Sequence, residues 1–271
     1  MKRKNLTLLV AVILALSALI VIVLLSINNM STDEDVTTSS KPEDLNFADN
    51  YISYILEEEE TMRFNLFGAQ DVSTDGPSFL DSVDFISLNN ENIDIIDYEI
   101  SQGDVFDNHQ LFNILIDVQL DSDELEETTK LTIHYDQLSD AVFTFGTLIL
   151  KNDKGFNQLE LDVTGENTLA SPHPELEVNL SNQTSDTIEL AKIYDLANHF
   201  VFEFEGDNQI VGNATESFNI PEFKEMEQHD FYTITPIVEY VSNDETNHYY
   251  MPGVVFGVMD TGEDKMKKIL D

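Results

Sequence analysis

Between Tyr51 and Met259 apolar and polar residues alternate with a period of two, and this restricts the fold more than any other feature of the chain. Successive side chains of a strand point to opposite faces, so the alternation specifies half-buried strands; a helix requires apolar residues three and four apart. In "LFNILIDVQLDS" Phe112, Ile114, Ile116, Val118 and Leu120 share one face, while Asn113, Asp117, Gln119 and Asp121 fall on the other. The pattern returns in "LTIHYDQ", "FTFGTLILK", "ELEVNLSNQ" and "HFVFEFEG". Helical periodicity is confined to the last few residues. The clusters "NNEN", "SQGD", "KNDKG", "SNQTSD" and "EGDNQ" read as turns, because Asn, Asp, Gly and Ser tolerate tight backbone geometry.

Roughly 13 to 15 strands fit this interval at the usual spacing, whereas one sandwich needs about seven to nine. The sequence therefore predicts a mainly β protein with two tandem antiparallel β-sandwich domains. The break is placed in "GENTLASPHPE", since Pro172 and Pro174 cannot donate ladder hydrogen bonds within a central strand. The expected bodies are residues 45–168 and 169–262, followed by a tail at 263–271. With 17 Phe and 9 Tyr the chain has aromatic bulk for two cores, in place of tryptophan and disulfides.

Ahead of this region lies Leu6–Leu25, 20 residues without a charge and with Thr7 and Ser17 as polar interruptions. As a helix rising about 1.5 Å per residue it matches the roughly 30 Å of bilayer hydrocarbon. A cleaved signal peptide has a shorter apolar region and small residues at its cleavage site, and Ser26, Ile27, Asn28, Asn29 and Met30 make a poor one. Residues 6–27 are expected to be a retained transmembrane signal anchor, with membrane lipid as its partner. Lys2, Arg3 and Lys4 keep the stub 1–5 cytoplasmic and place the bulk outside the cell. The intervening 28–44, "NNMSTDEDVTTSSKPED", lacks periodicity and reads as a disordered stalk. An exported β protein with no cysteine points to a bacterium with a single membrane.

The formal net charge is −39, and every one of the 52 acidic residues follows position 30. Nucleic acid and anionic lipid heads are excluded as partners, because phosphate recognition needs a basic face. A solvated acidic coat is the plain reading of the charge. Calcium is the sharper one, and "DSDELEE" offers Asp121, Asp123 and Glu126 as ligands. The loop is not an EF-hand, because Glu126 and Thr132 occupy the places of its glycine and its final bidentate glutamate. Glu57 to Glu60 read as a hairpin turn. No nucleophile elbow, phosphate loop or zincin helix occurs, and the six histidines are dispersed, which leaves no catalytic residue to assign. Carboxylate pairs of the glycosidase kind cannot be singled out among so many acids. Tyr240, Tyr249 and Tyr250 are candidate anchors for a protein partner, or else boundary tyrosines of an interior strand pair.

In the second half, "PELEVNLSNQTSDTIELAKIYDL" sets a strand, an Asn-rich turn and a second strand before "HFVFEFEG". This resembles the immunoglobulin-like modules of bacterial membrane-anchored surface proteins, without the Cys and Trp landmarks of antibody domains. The resemblance implies a spacer or binding module and brings no functional residue with it. The expected function is a non-catalytic, membrane-anchored extracellular binding or accessory module, whose partner is another envelope protein or a wall component. The alternatives are a carboxylate-dependent glycoside hydrolase and a calcium-dependent adhesion module.

Overall fold

The computed structural model describes residues 45–72, 82–136, 139–153, 160–165, 167–206, 208–220, 229–257 and 262–270. The expected stub, span and stalk lie outside them, and among the described residues no helix is long and apolar enough to cross a membrane. The first strands are β1 (Leu45–Phe47), β2 (Asn50–Leu56), β3 (Met62–Asp71), β4 (Val83–Leu88), β5 (Ile93–Phe106) and β6 (His109–Leu120). Next come β7 (Glu126–Tyr135), β8 (Ala141–Asn152), β9 (Leu161–Val163), β10 (Ala170–Ser171), β11 (Leu176–Asn182), β12 (Ile188–Tyr194) and β13 (Val201–Glu203). The last are β14 (Gln209–Ile210), β15 (Thr215–Ile220), β16 (Phe231–Ile234), β17 (Ile237–Ser242), β18 (Glu245–Tyr250) and β19 (Val254–Phe256), ahead of the helix α1 (Gly262–Leu270).

One sheet organises the body, in the order β10-β19-β16-β2-β8-β7-β4. A four-stranded sheet, β1-β3-β6-β5, covers one side of it, and the three-stranded β15-β11-β9 and the β13-β12-β17-β18 sheet complete the molecule. Not all pairing is antiparallel, which corrects the expected sandwich type. β2 runs parallel to both β8 and β16, and β10 runs parallel to β19. The reason is legible in "NYISYIL": a strand buried on both faces reads as a near-continuous apolar run, the mark of parallel pairing. Ile52 and Leu56 enter one core, and Tyr51, on the opposite face, enters the other.

These two cores share the long sheet. The first gathers Phe64, Ile114, Ile116, Leu131, Phe145 and their neighbours between β1-β3-β6-β5 and the β2-β8-β7-β4 half. The second gathers Val178, Leu190, Ile193, Val238 and Phe256, and it recruits Tyr51, Ile149 and Leu161 from before residue 169. The break placed at 168/169 thus falls within a body over which residues 41–271 pack as one compact unit. The close approach of β8 to β2 depends on Gly146, whose φ is +99° and where a Cβ would lie 1.9 Å from the Asn50 carbonyl oxygen. Buried Asn50 fixes the same point, its Nδ2 donating to the carbonyls of Ala48 at 2.7 Å and Phe145 at 3.1 Å.

Glu57–Glu60 is not a hairpin turn: it is an arch, because β2 and β3 belong to different sheets. "SQGD" is not a turn either. It lies inside β5, where the register with β6 shifts between Gln102 and Val105, a bulge that absorbs Gly103. The β5–β6 turn is made by Asp107 and Asn108, at φ 45° and 64°. Finally, the 263–271 tail is largely the helix α1, which docks Met266 and Ile269 against Ala48, Ala69, Leu111 and Phe231. Burial of two such side chains contributes about 3 to 6 kcal/mol before the entropy of ordering is subtracted.

Candidate functional site

The arch after β2 and the arch after β6 end on the same edge of the first core, so two acidic stretches far apart in sequence converge. Glu58, Glu59, Glu60, Asp94, Asp121 and Asp123 line an open cleft of about 740 Å³. Glu126, the third ligand expected for calcium, does not join them. Its carboxylate accepts hydrogen bonds from Asn90 Nδ2 at 2.9 Å and Asn92 Nδ2 at 2.8 Å, holding the β4–β5 turn, and these donors, Asn90 foremost, depress its pKa. Among the described residues no three acidic or histidine side chains form a group able to hold one metal ion. The cleft carboxylates are exposed or half-buried, so it does not supply the desolvation that a glycosidase's acid requires.

A second open cleft, of about 700 Å³, lies beside β10 and β11, lined by Asn167, Ser171, Glu175, Glu177, Asn179 and Asn219 among others. The walls are held from within: Asn179 N donates to Asn167 Oδ1 at 2.8 Å and Glu177 N to Thr168 Oγ1 at 3.0 Å. Amides, hydroxyls and carboxylates at its surface suit a polar ligand rather than an apolar one.

Of the three tyrosines proposed as anchors, Tyr240 is a core residue with 2% of its surface exposed. "TPIVEY" turns at Thr235 and Pro236 from the long sheet into the β12 sheet, which directs both Tyr232 and Tyr240 into the second core. Tyr249 is half-buried against that core, and its hydroxyl accepts from Val163 N at 3.1 Å. Tyr250 donates to Asp153 Oδ2 at 2.5 Å. All three phenols have their pKa raised, first by burial.

Residues absent from the sequence reading form the most elaborate polar cluster. Fully buried Asp195 accepts the Tyr51 hydroxyl proton and the Phe200 N–H, the latter at 2.9 Å. Burial, then Asp195, drives the Tyr51 pKa far upward. His199 stacks on Tyr51 at 4.8 Å, and His229 lies 5.6 Å from His199 with its Nδ1 3.0 Å from Asp49 Oδ1. Beside it, Asp230 accepts from Asp49 N at 2.8 Å, and burial raises its pKa. The Asp-x-x-Asn turn in "YDLANHF" is the one local cue to this cluster.

On the outer face of β4 and β7, Ser87 Oγ lies 3.0 Å from His134 Nε2, and Asp140 Oδ2 lies 2.9 Å from His134 Nδ1. The order of partners is that of a hydrolytic triad. The surroundings are not. Ser87 sits inside a paired strand, with Ile86 and Leu88 opposite Ile133 and Leu131, so no turn or helix end aims spare N–H groups at an oxyanion. Asp140 is 57% exposed, and the Phe85 ring stacks 3.9 Å from the imidazole. The arrangement clasps two strands across a solvent-facing surface.

No family model matches the chain, and no curated protein does. Among solved structures, titin domains Z1Z2 in complex with telethonin align at 12% identity over 81% of this chain and 98% of that one, with a TM-score of 0.23. DIP-gamma IG1+IG2 aligns at 10% identity over 82% and 100%, with a TM-score of 0.18. The Streptococcus agalactiae AgI/II polypeptide BspA C-terminal domain aligns at 8% identity over 79% and 99%, with a TM-score of 0.19. At such scores the likeness assigns neither family nor activity.

Proposed function

We propose that the chain is a non-catalytic binding or accessory module displayed on the outer face of a bacterial membrane and held there by residues 6–27. One observation carries the reading: the uncharged run Leu6–Leu25 follows Lys2, Arg3 and Lys4, and all 52 acidic residues come after position 30. The β body supports the binding half, since its conspicuous polar features are open surface clefts of about 700 and 740 Å³. Its buried polar cluster braces the junction of two sheets. The partner is an envelope protein or a wall component, and a net charge of −39 favours one that presents basic groups.

The test is to express the full chain with a C-terminal tag in a bacterium with a single membrane. The tag is then probed with a membrane-impermeant label, and membranes are washed in alkaline carbonate. The expected result is a labelled tag and a chain that sediments with the membrane. A chain released into the medium, or a tag shielded by the intact cell, overturns the reading. Capture from native membranes at low salt then identifies the partner.

A further inference from the structure

The long sheet extends past the four-stranded sheet that covers it. Its strands β16 and β19 overhang the edge formed by β1 and β3, turning Phe231, Thr233 and Val255 away from the second core. Helix α1 covers part of this overhang, where Phe231 meets Met266 and Ile269. What remains is a notch of about 220 Å³ lined by Arg63, Asn65, Phe67, Phe231, Thr233, Val255 and Lys265, together with Asn50 and Phe64.

The charged side chains that line the notch are two cations, Arg63 and Lys265, and the carboxylates nearest the first, Asp117, Asp97 and Glu99, lie outside the lining. Arg63 is the sole arginine after Arg3. Asp117 engages its Nε and Nη2, each at 2.6 Å, which orients the guanidinium and leaves its other N–H donors without a partner among the described residues. The three lysines of α1 differ from one another. Lys267 pairs with Glu263 at 2.9 Å, and Lys268 donates to the Asp230 carbonyl at 3.0 Å. Lys265 has no carboxylate partner among the described residues, and its Nζ stands over the Phe67 ring, 4.3 Å from the centroid. An ammonium that meets no carboxylate among the described residues and a guanidinium fixed by Asp117 therefore flank a small recess walled by three phenylalanines and a valine.

We propose that this notch binds a small carboxylate attached to a short apolar or aromatic body, with the anion between Lys265 and Arg63 and the body against Phe67, Phe231 and Val255. A cation point charge and spare guanidinium donors match a carboxylate, and the ligand's apolar part covers sheet surface that α1 leaves open. The source is either a free acid or the C-terminal residue of a peptide. The site is a property of the β body and holds whether or not the chain is anchored in a membrane.

The test is calorimetric titration of the detergent-solubilised full chain with hydrocinnamate, with its alcohol analogue hydrocinnamyl alcohol, and with N-acetyl-glycyl-phenylalanine as acid and as amide. The acids are expected to bind saturably and the alcohol and amide at least about tenfold more weakly, which corresponds to about 1.4 kcal/mol. Lys265→Met, which keeps the aliphatic stem over Phe67, is expected to lose that preference, and Lys267→Met to retain it. Stronger binding of hydrocinnamate assigns a free acid, and stronger binding of the peptide acid assigns a chain terminus. Equal binding of acid and neutral analogue, an unaffected Lys265→Met, or no saturation at millimolar ligand overturns the proposal.

Discussion

Alkaline pH should unfold this protein cooperatively, because its buried phenols hold protons that the unfolded chain releases. Tyr51, Tyr135 and Tyr240 are 4%, 6% and 2% exposed, and burial is the first cause of the raised pKa in each. Below about pH 10 both states keep these protons, so the three groups leave stability unchanged there. Above it the unfolded state deprotonates and the native state does not, so stability falls as pH rises, by about 1.4 kcal/mol per group and pH unit. Three groups remove about 4 kcal/mol per unit, which consumes a typical stability of about 5 to 15 kcal/mol within a few units above pH 10. The readout is tyrosinate absorbance followed together with far-ultraviolet circular dichroism. With 9 Tyr and no Trp or Cys, the absorbance belongs to tyrosine alone. The expected result is a steep rise in tyrosinate coincident with loss of the β spectrum. A broad titration centred near pH 10 with an unchanged β spectrum would refute the burial argument.

Other perturbations address other parts of the body. Gly146→Ala forces a Cβ to 1.9 Å from the Asn50 oxygen at a φ of +99°, and is expected to cost at least about 3 kcal/mol through strain and clash; an unmoved urea midpoint would contradict it. Tyr51→Phe takes the phenol donor from buried Asp195 and should cost about 1.5 to 3 kcal/mol, read as a lowered denaturation midpoint with an unchanged slope. Calcium and magnesium are expected to raise the melting temperature equally by screening the Glu58–Asp123 cleft, since no ligand group is assembled there among the described residues. A rise specific to calcium would establish a site.

Within residues 45–270 the sequence by itself determined the local character of the chain. Strand periodicity depends on neighbouring residues alone, so the β6 face of Phe112, Ile114, Ile116, Val118 and Leu120 could be read directly, and all five are buried. The turns in "NNEN" and "SNQTSD" were legible for the same reason, "KNDKG" and "EGDNQ" lie partly outside the described residues, and "SQGD" is a bulge, which draws on the same residue types as a turn. Only the tertiary structure decided which strands pair. The choice of β8 and β16 as parallel neighbours of β2 depends on contacts about a hundred residues or more away, as the pairing of Asn50 with Gly146 and Phe231 shows. That choice merged two cores along one sheet, buried Tyr240, and turned Glu126 toward two asparagines. It also left a small notch lined by Arg63 and Lys265 in an acidic molecule. Alternation states that a residue has a buried side, but what it meets there is fixed by strand order, which carries no local period.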